Sequence, residues 1–208
     1  MPLWNHWRIV WKSEALPKIE FFTWALLKGK ILTAENLQKR GINGPSYCPN
    51  CCGAEETMHH LFVDCPYAVD YWKNLYLIDK LLWTAQQSIG EVILAWKKRC
   101  PWENKRSNLV KRVWNTLPYT MLWNIWLARN RKIFKDKNSA TIIVCNKAKN
   151  LALETISVKT QSNIDVAMYS VEERSFISHI LDKNNSTQKG NTVKDQSAVK
   201  KPINGKSS

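Results

Sequence analysis

The chain has 208 residues, of which 44% are hydrophobic, and its 31 Lys and Arg outnumber 17 Asp and Glu to give a net charge of +14. This apolar fraction supports a packed core and excludes a wholly disordered protein, and the length suggests one domain with or without a tail. The basic excess is concentrated in residues 66–160, which carry 17 basic and 6 acidic side chains. A folded region with this charge favours an anionic partner such as RNA, DNA or an acidic protein surface.

The first part of the chain predicts short helices separated by loops. One helix begins at Pro17, a residue suited to a first turn, and ends near Gly29. Thr33 is a favourable N-cap for a second, short helix that Gly41 ends. Residues 42–54 are rich in Gly, Asn, Pro and Ser, and we expect them to form a loop.

The middle of the chain continues the helical pattern. Residues 55–63 predict a short helix, and Pro66 begins another with one apolar face. Ser88 is placed to cap a helix that ends at the basic run after Trp96, where cations favour the helix dipole. The apolar face of the helix that begins at Pro66 consists of Ala68, Tyr71, Trp72 and Leu75.

The last helices are longer. Ser107 caps a segment that runs to about Phe134, and Pro118 is expected to kink or split it. Residues 141–158 predict a further helix. The polar composition from about Asn184 onward predicts disorder.

Four residues in and after the loop have the spacing of a metal site. Cys48 and Cys51 are separated by two residues, His60 follows after eight more, and Cys65 after another four. Two such cysteines form a tight turn that directs both sulfurs at one cation, and thiolate with imidazole suits tetrahedral Zn²⁺. Four protein ligands leave no position for water, so the predicted zinc is structural.

Two neighbouring residues leave alternatives open. Cys52 can replace Cys51, and His59 can replace His60. The two-residue spacing favours Cys51, whereas the choice between the two histidines is not decided by spacing. The alternative for all of these cysteines is an ordinary buried thiol.

These residues, together with their surroundings, resemble the zinc-binding domain that follows the reverse transcriptase in plant non-LTR (LINE-type) retrotransposons. The resemblance covers about residues 4–135 and implies Cys48, Cys51, His60 and Cys65 as the ligands. It rests on motifs that occur in order along the chain: Trp11, Pro17-Lys18-Ile19, Phe22, Trp24, Leu32-Thr33, Leu37, Arg40, Cys48-x2-Cys51, Glu56-Thr57, His60-Leu61-Phe62, Cys65-Pro66, Ala68, Trp72, Trp123-Asn124-Ile125-Trp126, Arg129-Asn130 and Ile133-Phe134.

The chain departs from the longer polyproteins of that family. It has no aspartate pair of the Tyr-x-Asp-Asp kind for a polymerase, and no set of spaced carboxylates for an RNase H follows Phe134. We therefore expect a non-enzymatic accessory module, either a fragment of such an element or a stand-alone derivative. The alternatives are a protein-interaction scaffold that packs on a polymerase domain and a non-functional remnant.

Basic residues form two clusters that predict a surface for the phosphate backbone of RNA or DNA. In that interpretation the nearby rings of Trp102 and Trp114 are available for base stacking. The alternative is a solvated helix face with these Trp in the core. For most Trp the core is the favoured position. The predicted nucleic-acid-binding residues are Lys97, Lys98, Arg99, Lys105, Arg106, Lys111, Arg112, Arg129, Arg131 and Lys132.

No membrane or secretory segment is expected. The first 12 residues lack an uninterrupted apolar core, and the longest uncharged stretch, 113–128, is shorter than the roughly 20 apolar residues of a membrane span. We expect an intracellular protein of the nucleus or cytoplasm, not a secreted one, with reduced thiols.

Together these patterns predict a mainly α fold: a small helical, zinc-stabilised domain with a loop-plus-helix CCHC zinc site and a disordered C-terminal tail. The predicted domains are a helical zinc-binding domain at 1–82, a basic Trp-rich helical extension at 83–160 and a polar, largely disordered tail at 161–208. All 11 Trp lie between Trp4 and Trp126, which supports the boundary before the tail.

Overall fold

The computed structural model describes residues 8–75, 88–100, 108–160 and 177–178. In this part of the chain the elements are α1 (Pro17–Leu27), α2 (Ala34–Gln38), a π-helical turn (His60–Asp64), α3 (Pro66–Leu75), α4 (Ile89–Lys98), α5 (Asn108–Lys135) and α6 (Thr141–Thr160). An isolated antiparallel bridge joins Tyr47 to Glu55, and no strand is present among the described residues. The mainly α class is confirmed. The predicted disorder from Asn184 lies outside the described residues.

Helix α5 is the centre of the fold. It packs against α1, α3, α4 and α6, and it continues through Pro118 without being split. Phe22 of α1 contacts two rings of α5, with centroid distances of 5.2 Å to Trp123 and 5.9 Å to Trp126. One buried cluster therefore includes side chains of α1 and α5, and the predicted boundary at residue 82 lies outside the described residues.

Two tryptophans join α4 to α5. The Trp96 and Trp114 rings are stacked at 4.6 Å, and each indole N–H donates to the backbone carbonyl of the other residue, at 2.8 and 3.1 Å. Both side chains are buried. Trp114 is therefore a core residue, as favoured for most Trp, and its ring is not available to stack on a base. Trp102 lies outside the described residues.

Of two predicted N-caps, Ser88 caps its helix in the structure and Thr33 does not. Ser88 forms a capping box with Glu91 at the start of α4. Thr33 occupies the N-cap position of α2, but its side chain makes no capping bond and its hydroxyl is buried without a hydrogen-bond partner. The Ala34 amide of α2 instead donates to the Glu56 carboxylate at 2.8 Å.

Helix α3 buries the four residues that its pattern predicted: Ala68, Tyr71, Trp72 and Leu75. The Trp72 indole donates to the Phe62 carbonyl at 2.9 Å, which fixes α3 to the π-helical turn. Among the described residues, no helix combines the length and apolarity that crossing a membrane requires.

Candidate metal centre

A tight loop presents the first two cysteines. The Cys48 amide donates to the Ala54 carbonyl and the Cys52 amide to the Cys48 carbonyl, each at 2.8 Å. Cys52 adopts a left-handed conformation, with φ of 54°, where the chain reverses. The amides of Asn50 and Cys51 point at the Cys48 sulfur and hydrogen-bond to it. The two-residue spacing therefore produces the predicted turn.

The π-helical turn and the start of α3 present the other two side chains. The Cys65 amide donates to the His60 carbonyl at 2.7 Å, and the His60 amide donates to the Thr57 hydroxyl at 3.0 Å. Cys65 directly precedes Pro66, the first residue of α3. Its sulfur accepts hydrogen bonds from the amides of Tyr67 and Ala68, which lie in the first turn of that helix.

The four side chains converge. The Sγ atoms of Cys48, Cys51 and Cys65 and a ring nitrogen of His60 all lie within 4.8 Å of one another. The Cys48 and Cys65 sulfurs are 3.9 Å apart, and the Cys51 sulfur is 3.2 Å from His60 Nε2. A tetrahedron with Zn–S bonds of about 2.3 Å places two sulfurs about 3.8 Å apart, so the arrangement fits a zinc ion.

The neighbouring residues that the sequence left as alternatives point elsewhere. Nε2 of His59 lies 3.1 Å from the Asp64 carboxylate. Cys52 is exposed, and its thiol donates to the Pro49 carbonyl at 3.9 Å. The structure thus brings together the four ligands that the resemblance implied and leaves His59 and Cys52 outside the group.

The electrostatics of the site favour the metal-binding forms of Cys65 and His60, whereas Cys48 is held as a thiol. The hydrogen bond from the Cys48 thiol lowers the pKa of Cys65, and the amides of Tyr67 and Ala68 act in the same direction, against burial. The same contact with Cys65, together with burial, raises the pKa of Cys48. Burial lowers the pKa of His60, which favours the neutral imidazole that a metal ligand must be.

Glu56 fixes the loop to the rest of the fold. Its two carboxylate oxygens accept from Arg129 Nε and Nη2, at 2.6 and 2.8 Å, and one of them also accepts from the Ala34 amide. The side chains of Glu56 and Arg129 are 1% and 6% exposed. Both residues belong to the motifs of the resemblance, but no spacing in the sequence indicates that they pair.

The structure separates the ten predicted nucleic-acid-binding residues into groups. Lys98 and Arg99 are exposed at the end of α4. Arg129 is buried against Glu56, so we leave it out of the proposed surface. Lys105 and Arg106 lie outside the described residues. The half-buried members are Lys97, Lys111, Arg112, Arg131 and Lys132.

Several half-buried cations have partners within the protein. Arg112 pairs with Glu14, and Lys132 pairs with Asp136 at 2.6 Å. Arg131 donates to the Ser139 hydroxyl at 2.9 Å. The Lys97 ammonium lies 5.3 Å from the centroid of the Tyr119 ring. Pairing with Glu14 and Asp136 reduces the positive charge that two of these residues offer to an anion.

Sequence reasoning missed Lys12, which lies near Lys97, and Lys159, which contacts the N-terminal segment. Arg8 and Lys12 are exposed on the N-terminal segment, and Lys12 is close enough to Lys97 to lower its pKa, after the larger effect of burial. Lys159, at the end of α6, donates to the Ala15 carbonyl at 3.2 Å. These residues are far apart in sequence, so no local charge pattern could have grouped them.

Comparison with known proteins identifies the segment that holds the site. Residues 2–72 match the family described as zinc-binding in reverse transcriptase, and the matched segment includes all four converging side chains. The resemblance inferred from the sequence is confirmed over these residues.

A curated relative extends the similarity further along the chain. A protein of Arabidopsis thaliana described as "Putative ribonuclease H protein" is 23% identical over 129 residues, which are 61% of this chain and 20% of that protein. The chain thus spans about a fifth of the length of this relative. No solved structure gives a significant match.

Proposed function

We propose that this chain is a non-catalytic accessory module of a retrotransposon reverse transcriptase, in which a structural zinc ion orders the loop and a basic surface contacts RNA or DNA. The observation that carries the proposal is the convergence of Cys48, Cys51, His60 and Cys65 inside the segment that matches the zinc-binding family. The similarity to a plant protein named for ribonuclease H supports a retroelement context.

The donor set supports a structural role for the metal. Three thiolates and one imidazole complete a tetrahedron around zinc, and a filled tetrahedron leaves no position for a reactive water. Cys48 and Cys65 are fully buried beneath the loop, which excludes a substrate from that side of the ion. The ion therefore cross-links the loop to the start of α3, and its binding energy contributes to folding.

The charge supports an anionic partner. Lys98 and Arg99 are exposed at the end of α4, and Lys12 is exposed on the N-terminal segment. Contacts of such side chains with phosphates are independent of base sequence and weaken as salt rises. We expect the module to increase the affinity of a larger protein for its nucleic acid.

A second partner is favoured by the exposed apolar residues where α5 ends and α6 begins. Phe134 is 76% exposed, and Ile133, Ile142 and Ile143 are also exposed. An apolar surface of this kind suits contact with another protein domain, and in a reverse transcriptase the polymerase is the candidate. Such a contact depends only weakly on salt, which distinguishes it from binding to nucleic acid.

Native mass spectrometry and a binding titration test the proposal. Purified protein should carry one zinc ion per chain and should bind single-stranded RNA with an affinity that falls steeply between 50 and 200 mM salt. Metal-free protein that is fully folded would overturn the zinc assignment. Zinc-loaded protein that does not bind RNA or DNA at low salt would overturn the nucleic-acid assignment and leave the polymerase contact.

A further inference from the structure

We propose that the segment 8–16 and the helix ends packed against it form a binding surface for single-stranded nucleic acid, in which Trp11 stacks on a base and the surrounding cations bind phosphates. This inference rests on the nucleic-acid contact proposed above and assigns it to one place and one mode of binding.

The segment 8–16 is held firmly although it is neither helix nor strand for most of its length. The Tyr119 hydroxyl of α5 donates to the Ile9 carbonyl at 3.0 Å, and the Thr116 hydroxyl of α5 donates to the Ser13 carbonyl at 3.0 Å. Lys159 of α6 donates to the Ala15 carbonyl. Three hydrogen bonds from two helices therefore fix its backbone.

Trp11 is exposed on this fixed backbone. Val10 and Ser13 on either side of it are buried, whereas Trp11 is 49% exposed. A half-exposed indole on a fixed backbone offers a ring face without a large loss of entropy when a ligand binds. Stacking of a base on such a ring contributes about 1–3 kcal/mol and tolerates any base.

Cations lie on and near the segment that carries this ring. Lys12 is the next residue in the chain and is exposed, and Lys97 at the end of α4 lies within electrostatic range of it. Lys98 and Arg99 follow Lys97 and are exposed. These like charges from two separate elements repel one another, and an anion placed between them relieves that repulsion.

The carboxylates near the segment offset only part of this charge. Glu14 pairs with Arg112, and Glu20 accepts a hydrogen bond from the Ser13 hydroxyl at 3.2 Å. Lys12, Lys98 and Arg99 therefore give the segment that carries Trp11 a positive field, and Lys159 contacts the same segment at the Ala15 carbonyl.

A ring and cations in this arrangement favour a single strand over a duplex. The bases of a duplex stack on each other, and their faces are closed to a protein ring. A single strand exposes its base faces and can follow a row of cations with its backbone. The surface therefore predicts binding to single-stranded RNA or DNA with little dependence on sequence.

Fluorescence anisotropy with labelled 12-nucleotide single strands and a matched duplex tests the inference on the zinc-loaded full chain. Trp11→Ala should weaken single-strand binding by roughly 5- to 150-fold, since it removes one stacked base. Trp11→Phe, which keeps a ring, should retain most of the affinity. Lys12→Gln with Lys98→Gln should make the slope of log K against log salt shallower by about 1.4.

Matched controls lie at the other end of α5. Phe134→Ala removes a ring that is 76% exposed, and Lys135→Gln with Lys137→Gln removes two exposed charges. We expect these variants to bind single strands as the wild type does. Zinc content and circular dichroism of each variant confirm that the fold is intact.

The outcomes separate this inference from the proposed function. A wild-type chain that binds nucleic acid while Trp11→Ala retains full affinity would overturn the assignment to this surface and leave the proposed function standing. Equal binding of duplex and single strand would overturn the stacking mode. A wild-type chain that binds only an acidic protein, and no nucleic acid, would overturn both.

Discussion

Glu56 and Arg129 form a bidentate ion pair in the interior, with Nε–Oε1 and Nη2–Oε2 distances of 2.6 and 2.8 Å. The pair joins the loop of the metal centre to the central helix across 73 residues of sequence. The Arg129 guanidinium also lies 4.8 Å from the Trp126 ring. The metal centre is therefore attached to the core by a charge pair as well as by apolar packing.

Removing one member of this pair should destabilise the protein strongly. Arg129→Met leaves a buried carboxylate without its partner, and we expect the free energy of unfolding to fall by about 3–5 kcal/mol. Urea denaturation of zinc-loaded protein measures this free energy of unfolding. Lys132→Met, which removes a cation of a surface pair on the same helix, should change the free energy of unfolding little. Comparable losses in the two variants would contradict a buried, coupled pair.

The metal ligands can be separated from their neighbours by matched substitutions. Cys65→Ser should abolish stoichiometric zinc binding and lower the melting temperature, because structural zinc contributes about 10–16 kcal/mol of apparent folding free energy in zinc-finger peptides. Cys52→Ser should retain zinc, since the Cys52 thiol points at the Pro49 carbonyl. Inductively coupled plasma mass spectrometry of both variants measures the zinc content.

The two histidines give a parallel comparison. His60→Asn should lose zinc, whereas His59→Asn should keep it, because His59 faces Asp64. Zinc loss from His59→Asn with full retention in His60→Asn would reverse the assignment.

The two helix caps should respond in opposite ways. Ser88→Ala removes a capping bond of α4 and should lower the free energy of unfolding by about 1 kcal/mol. Thr33→Val replaces a buried hydroxyl that has no hydrogen-bond partner and should leave stability unchanged or raise it. Thermal melts of both variants measure the change in stability. A loss of stability in Thr33→Val as large as that in Ser88→Ala would show that Thr33 does cap α2.

The junction of α4 and α5 depends on its paired indoles. Trp114→Phe removes the indole donor to the Trp96 carbonyl, which keeps its bond from the Arg99 amide at 3.1 Å, so loss of this one hydrogen bond should lower the free energy of unfolding by about 0.5–1.5 kcal/mol. Near-ultraviolet circular dichroism should also change, because the stacked pair is broken. Trp24→Phe alters a half-buried indole of α1 and is the matched control. An equal loss of stability in both variants would contradict a specific contribution of the Trp96–Trp114 pair.

Burial of Tyr119 predicts a loss of stability at high pH. Burial, with a smaller effect from Glu20, raises the pKa of Tyr119 above its ordinary value of 10.0. The unfolded chain therefore loses this proton at a lower pH than the folded protein, so the free energy of unfolding should fall as pH rises above 10.0. Urea denaturation between pH 8 and 11 measures the slope.

Two phenylalanine variants isolate this contribution. Tyr119→Phe should make the alkaline slope shallower, although it also removes the hydrogen bond to the Ile9 carbonyl. Tyr47→Phe changes an exposed tyrosine and should keep the wild-type slope. An unchanged slope in Tyr119→Phe would rule out Tyr119 as the source.

The sequence by itself determined the features that depend on local spacing. The Cys48-x2-Cys51 turn, the buried face of α3 and the Ser88 cap each involve residues within one loop or one helix, where the backbone geometry fixes which side chains meet. The mainly α class could be predicted from the sequence for the same reason. The spacing also predicted His60 and Cys65 as members of the metal site, and the family resemblance selected His60 over His59.

The tertiary structure alone decided the contacts between distant segments. Thr33 had the residue type of a cap, but Glu56 took that role for Ala34 because it reached the amide from another loop. Arg129 appeared as a surface cation and proved to be the partner of Glu56. Lys97 and Lys159 approached the N-terminal segment that carries Trp11 and Lys12 only when α4, α5 and α6 had packed. Sequence patterns report periodicity within an element, whereas burial and pairing depend on which elements meet.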